Sequence, residues 1–183
     1  NITISVNISA IQLLKPNFSS WLLEMIRDKQ VNPENICLEI TESVFSSDYD
    51  EMNDIIGALK DAGLQIAIDD FGTGYSSLAR EKELNVSCLK IDKYFMDKLL
   101  TEGFDKAITG DIISIAHKLG HCAIAEGVEQ ESQLKYLMAH NCDKIQEYLI
   151  SKPLDEADAI AFLENNKKID DFRDDYTNRK IEL

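Results

Sequence analysis

Positive charge is what this chain lacks most: 19 Lys and Arg stand against 33 Asp and Glu, a formal net charge of −14 and a pI near 4.5. The deficit excludes sequence-independent binding to DNA or RNA duplexes, which needs a cationic footprint for phosphates. An anionic substrate stays admissible if a metal ion sits between protein and phosphate and inverts the local field. Long apolar runs are missing too. None approaches the roughly 18 residues of a membrane span, and no basic segment followed by an apolar one marks a signal peptide, so no direct membrane insertion of this chain is expected. The four cysteines, Cys37, Cys88, Cys122 and Cys142, lack C-x-x-C spacing, and the first three fall in apolar runs that read as strands. Buried free thiols in a reducing cytoplasm are therefore expected, rather than zinc sites or disulfides. Low-complexity stretches and internal repeats are absent beyond a β/α rhythm.

What is present suffices for one sizeable core: 183 residues at 44% hydrophobic are too few for two comfortable domains. The chain starts at Asn1 rather than Met and runs at once into a strand-like segment, so it reads as a fragment of a longer polypeptide. Short β-branched or apolar runs at 2–8, 36–41, 64–70, 87–91, 121–126 and 144–149 alternate with segments of helical period near 17–30, 48–62, 105–119, 130–141 and 155–165. Shorter turns fall around 76–82 and 93–100. Such alternation is the signature of βα units on a parallel sheet. Asp48 with Glu51 resembles a capping box, Gly63 and Gly120 sit where helix-ending glycines belong, and Asp155 can cap the last helix. The tail, residues 167–183, is dominated by charge and reads as solvated, leaving 1–166 as the domain.

Each expected strand ends in a polar residue: Asn7, Glu39, Asp69 with Asp70, Lys90, Glu126 and Gln146. In a β/α barrel the C-terminal ends of all strands meet on one face, whereas an open doubly wound sheet spreads them along a line. The even distribution predicts a TIM-like (β/α) barrel. A complete one has eight strands in about 250 residues, so this chain holds about six of the eight.

Three or four carboxylates gathered at one point cannot all ionise without protons or cations to neutralise them. Asn7, Glu39, Asp69, Asp70 and Glu126 offer hard oxygens, which suit Mg²⁺ or Mn²⁺. With Asp69 pointing into the barrel end, its neighbour Asp70 begins the next loop, so one carboxylate can bridge two ions while the other holds the second. Two metals about 4 Å apart would clamp a phosphodiester and share an activated water, with Lys90 positioning that water or offsetting charge. For any single acidic residue, a helix N-cap is the simpler reading. Capping does not account for an Asn, a Lys and two adjacent Asp on successive strands. Phe71, Gly72, Thr73, Gly74 and Tyr75 form F-G-T-G-Y, which lacks the G-K-[ST] of a P-loop; Gly72 and Gly74 read as hinges of an active-site loop. His117 and His121 read as ordinary helix-end histidines. A metal-free glycosidase built on a carboxylate pair is disfavoured by Asn7, Lys90 and the Asp pair.

The segments V-N-I-S (Val6 to Ser9), L-E-I-T-E-S (Leu38 to Ser43), I-D-D-F-G-T-G-Y-S-S-L (Ile68 to Leu78), L-K-I-D (Leu89 to Asp92), A-E-G-V-E (Ala125 to Glu129) and S-K-P-L (Ser151 to Leu154) follow one another in the chain. In this order they resemble the EAL domain family, which hydrolyses the bacterial second messenger cyclic di-GMP to linear pGpG. The resemblance implies that Asn7, Glu39 and Asp69 bind a first metal, that Asp69 and Asp70 bind a second, and that Glu126 assists the second or its water. It further implies that Lys90 contacts the nucleophilic water, with Gln146 a lesser contributor nearby. Glu42 would hold the loop of Phe71, Gly72, Thr73 and Gly74 in its working shape, and Glu129 would support. Implied partners are cyclic di-GMP, a second copy of the domain, and upstream sensory or diguanylate-cyclase-like domains, in a cytoplasmic setting with a parent that can be membrane-anchored. Two departures stand out. The strand bearing the Glu-Ala-Leu tripeptide is absent, and Gln146-Glu147-Tyr148 replaces the usual Gln-Gly-Tyr. Strand alternation turns Glu147 away from the site. The alternative is a degenerate member that serves as a cyclic di-GMP receptor or a protein-interaction scaffold.

Overall fold

A computed structural model describes residues 2–42, 49–72, 85–101, 103–146, 151 and 153–165. Six strands, β1 (Ile4–Asn7), β2 (Ile36–Thr41), β3 (Gln65–Phe71), β4 (Cys88–Ile91), β5 (Cys122–Glu126) and β6 (Lys144–Gln146), lie side by side in chain order, every neighbouring pair parallel. Between them run α1 (Ala10–Leu13), α2 (Phe18–Asp28), α3 (Tyr49–Asp61), α4 (Lys93–Thr101), α5 (Thr109–Leu119) and α6 (Glu131–Ala139). The architecture is a TIM-like barrel, incomplete. Among the described residues β1 pairs only with β2 and β6 only with β5, and all four residues of β1 are exposed. The chain divides into two units, Asn1–Glu147 and Tyr148–Leu183. The second contains α7 (Glu156–Asn165), whose first turn is capped by Asp155 Oδ1 accepting from Asp158 N–H at 2.9 Å.

Strand alternation sorts the sheet into two faces. Leu38, Ile40, Ile66, Ile68, Leu89, Ile91, Ala123 and Ala125 join the buried faces of the helices: Leu22 and Ile26, Met52, Ile56 and Leu59, Met96 and Leu99, Ile113 and Ala116, and Leu137. Each fully buried Leu or Ile contributes on the order of 2 kcal/mol, and this layer holds the barrel wall in place. The opposite face carries Cys37, Ala67, Cys88, Cys122 and Ile124, then, at the strand ends, the polar residues.

Some local expectations give way. α1 is an additional helix, started by a capping box in which Gln12 N–H donates to Ser9 Oγ (3.3 Å) and Ser9 N–H to Gln12 Oε1 (3.1 Å); the S-x-x-Q pattern was its signal. The turn expected at 93–100 is a nine-residue helix, α4, because Phe95, Met96 and Leu99 repeat at helical spacing and are buried. The cysteines also depart from expectation. Cys88 and Cys122 stand directly opposite in the β4–β5 register, 4.4 Å apart at Cα, and form a disulfide, while Cys37 and Cys142 are free thiols. Thirty-four residues separate the pair in sequence, so only the strand pairing brings them within bridging reach. His117 Nε2 lies 2.8 Å from Asp143 Oδ2, which also accepts from Ala123 N–H at 2.7 Å, and this ties the end of α5 to the start of β6. The Asp48 cap, the turn at 76–82, residues 147–149 of the last expected strand and the tail 167–183 lie outside the described residues.

Candidate active site

Register places the polar strand ends in one row: Asn7 opposite Glu39 and Glu126 opposite Gln146. Lys90 is the hub. Its side chain is 2% exposed, and Nζ lies 2.5 Å from Glu39 Oε2, 2.6 Å from Glu126 Oε1 and 3.1 Å from Asp69 Oδ1. Burial alone would lower the lysine pKa, but the hydrogen bonds that Lys90 donates to Glu126, Glu39 and Asp69 outweigh it and hold the pKa above the ordinary value. Lys90 is therefore a fixed cation and no proton acceptor. Three carboxylates share that one charge, and Glu126 feels the imbalance: burial, with Asp69 and Glu39 nearby, raises its pKa despite Lys90.

The two adjacent aspartates depart from regular strand geometry. Ile68 pairs with Leu89 but Phe71 with Ile91, so the register slips across Asp69 and Asp70. Two residues of β3 thus oppose Lys90 alone, a β-bulge. Asp70 has φ 56°, and its N–H donates to Asp69 Oδ1 at 3.1 Å. Regular alternation would send Asp70 to the helix side. Instead its carboxyl sits beside Asp92, and burial, the Asp69 and Asp92 charges and a hydrogen bond with Asp92 raise its pKa.

Two loops are fastened around this row. Glu42, buried at the end of β2, accepts from Gly72 N–H through Oε2 (3.1 Å). Gly72 has φ 93°, and a Cβ there would press on the Phe95 ring at 3.0 Å, so this turn needs glycine. After β5, Lys93 Nζ bonds Glu129 Oε1 at 2.6 Å and Asp97 Oδ1 at 3.3 Å, joining the A-E-G-V-E turn to α4. Gln133 completes that fastening. It is fully buried; its Oε1 accepts from Glu129 and Gln130 N–H (both 2.8 Å) and its Nε2 donates to Met96 C=O (2.9 Å).

Of the sequence-nominated residues, Glu39, Asp69, Lys90 and Glu126 meet directly, and Asp70 lies beside them. Asn7 and Gln146 stand at the two ends of the row and are exposed, Glu42 and Gly72 meet each other, Phe71 is buried in the core, and Glu129 meets Lys93. Thr73, Gly74 and Glu147 lie outside the described residues. Two residues escaped nomination. Asp92 follows Lys90 by two, the strand period, which is its signal; Gln133 is the N3 glutamine of a capping box on α6, a signal weakened because the N-cap is Gln130 rather than Ser or Thr.

The donor chemistry fits a hard divalent cation: the carboxylates of Glu39, Asp69, Asp70 and Glu126 face a single ammonium, and their partial burial leaves negative charge uncompensated. Among the described residues, no group of three or more His, Cys, Asp or Glu side chains is poised around a metal position; the three carboxylates that converge do so on Lys90.

Comparison with known proteins supplies the context. The EAL domain family model matches residues 1–153. The chain is 39% identical over 163 residues to the probable cyclic di-GMP phosphodiesterase PdeB of Escherichia coli, covering 89% of the chain and 31% of PdeB. It is 34% identical over 154 residues to the signaling protein YkoW of Bacillus subtilis, covering 84% of the chain and 19% of YkoW. The chain thus spans a third or less of these curated relatives. In structure it resembles PaMucR phosphodiesterase in its c-di-GMP complex, with a TM-score of 0.80 and 35% identity over 86% of this chain and 64% of that one. With its motifs, its parallel half-barrel and these relatives in agreement, the chain belongs to the EAL domain family.

Proposed function

We propose that this chain carries most of the active site of a metal-dependent phosphodiesterase that opens cyclic di-GMP to linear pGpG. The observation that supports this best is the convergence of Glu39, Asp69 and Glu126 on Lys90 at the strand ends, with Asp70 displaced toward them by the β3 bulge. PdeB and PaMucR, by their names, act on or bind the same dinucleotide.

In this reading Asn7, Glu39 and Asp69 hold one Mg²⁺ or Mn²⁺, and Asp69, Asp70 and Glu126 hold a second. When bound, the ions neutralise the phosphodiester and make water a stronger nucleophile. The chain's own side chains orient and exclude. Lys90, at the centre of the row, donates to the attacking water or to developing negative charge. Glu126, 2.6 Å from Lys90 at the strand end, is placed to assist the second ion or its water. Glu42 holds the turn at Phe71 and Gly72 through the Gly72 N–H; Glu129 steadies the Glu126 turn through Lys93, and Gln146 borders the site. The catalytic domain runs over 1–166 with 167–183 as a charged tail, works in the cytoplasm, and pairs with a second copy or with upstream sensory or cyclase-like domains.

The test is chromatography for pGpG after incubation with Mn²⁺, using the chain extended to eight strands. Steady product supports the enzyme. The second reading is a degenerate member that binds cyclic di-GMP without cleaving it; binding by calorimetry with no pGpG would establish that reading instead.

A further inference from the structure

An ammonium has three N–H donors, and Lys90 Nζ has three carboxylates within reach, those of Glu39, Glu126 and Asp69, at 2.5, 2.6 and 3.1 Å. Those are the oxygens that the reading above gives to divalent cations. They cannot serve both fully. A cation drawing on Glu39, Asp69 and Glu126 must loosen the contacts to Lys90, whose side chain, 2% exposed, keeps its charge among the same carboxylates. The site therefore contains its own competitor. We propose that Lys90 is the resident counter-ion of the metal-free site and that its competition for these carboxylates sets the divalent concentration at which the site fills.

The proposal rests on the metal reading above. Its sign follows from electrostatics. A positive charge within a few ångströms repels an incoming cation, and while bonded to the ligands it also satisfies them, so both effects weaken loading. Removing it leaves carboxylates that must take up protons or a cation, and at neutral pH a divalent ion then meets no resident competitor. Linkage requires the reciprocal: loading weakens the hold of Glu39, Asp69 and Glu126 on Lys90 by the same factor. This role differs from orienting water, because it operates without substrate and is read from binding alone.

The test is calorimetric titration of Mn²⁺ into the chelator-stripped chain and its Lys90→Met and Lys90→Arg variants. Lys90→Met should bind Mn²⁺ at least about tenfold more tightly than the parent, about 1.4 kcal/mol, and Lys90→Arg no more tightly than the parent. Equal or weaker binding by Lys90→Met overturns the proposal while leaving the metal reading intact; no divalent binding by the parent or either variant overturns both. If Lys90→Met does not fold without metal, the parent decides. Its ¹⁵Nζ-lysine NMR signal for Lys90 should shift as Mg²⁺ saturates the site, and a signal that stays fixed through saturation overturns the proposal.

Discussion

Gly127→Ala is the substitution for which the structure gives the clearest magnitude. Gly127 follows Glu126 at φ 76°, and a Cβ there would run into Lys93 Cγ and come 2.7 Å from Lys93 Cβ and 3.0 Å from its Cα. The backbone term is about 1–2 kcal/mol, the cost of the left-handed region for an L-residue. The steric term adds about 1–3 kcal/mol, typical of overpacking, since Lys93 Cγ can rotate away but its Cα cannot. Gly127→Ala should thus lose about 2–5 kcal/mol in urea unfolding. Adding Lys93→Ala removes only the Cγ contact and should recover part of that loss, not all. Relief of the clash by movement of the turn would carry Glu126 off Lys90, so turnover should fall further than stability alone explains. A Gly127→Ala protein within about 0.5 kcal/mol of the parent, the range of an unremarkable surface substitution, would refute the close approach of Lys93 to this turn.

Gln133→Leu should cost about 1–3 kcal/mol in the same assay, because two part-buried N–H groups and the Met96 carbonyl lose their partner; a change under about 0.5 kcal/mol would contradict the fastening role. Asp69→Asn should abolish pGpG production, whereas Asp70→Asn should weaken one metal step in a titration; superimposable metal titrations for the two variants would refute that division. Burial works against the Asp143 carboxylate, but the Ala123 N–H and His117 more than offset it and lower its pKa. Its contribution is accordingly present above the unfolded carboxylate pKa and lost as pH falls through the folded value. The Tm gap between parent and Asp143→Asn should narrow as pH falls below about 4, through the carboxylate range, and a gap that stays constant there would be inconsistent with the pairing. Thiol titration of denatured, unreduced protein should count two of the four cysteines, and reduction should cost about 3–4 kcal/mol by loop-closure entropy for a separation of 34; four reactive thiols would exclude the bridge.

What could be read in the sequence was whatever strand alternation and strand ends carry. Ile66, Ile68, Leu89 and Ile91 announce the helix-facing side of β3 and β4, and Glu39, Asp69, Lys90 and Glu126 announce a polar rim. Pairing register could not be read, because it depends on how far each helix returns the chain. Hence the opposition of Cys88 and Cys122 went unseen, although both residues were placed in strands. α4 was hidden for a related reason: its nine residues are too short for periodicity to separate from a turn, and packing of Phe95 and Leu99 decides the matter. Gln133 is a polar residue on a buried helical side, and only the position of the Glu129 turn shows why it belongs there.

The β3 bulge shows why the site is most specific where the local rule fails. Period-two alternation offers the site one of two adjacent aspartates, Asp69, and gives Asp70 to the helices. The register slip opposite Lys90 and the φ of 56° at Asp70 override that rule and bring the second carboxyl to Asp92. A non-glycine residue in this region costs on the order of 1–3 kcal/mol and persists only where its surroundings over-determine it. Here they do: Asp70 N–H is held by Asp69 Oδ1, Asp69 by Lys90, and the next turn by Glu42 on Gly72. A Gly at position 70 would relieve the backbone and an Asn would keep its shape, and both would delete the charge. The strain at Asp70 and the carboxyl it delivers beside Asp92 are therefore one feature, and it adds acid to a rim where three carboxylates already share the charge of Lys90.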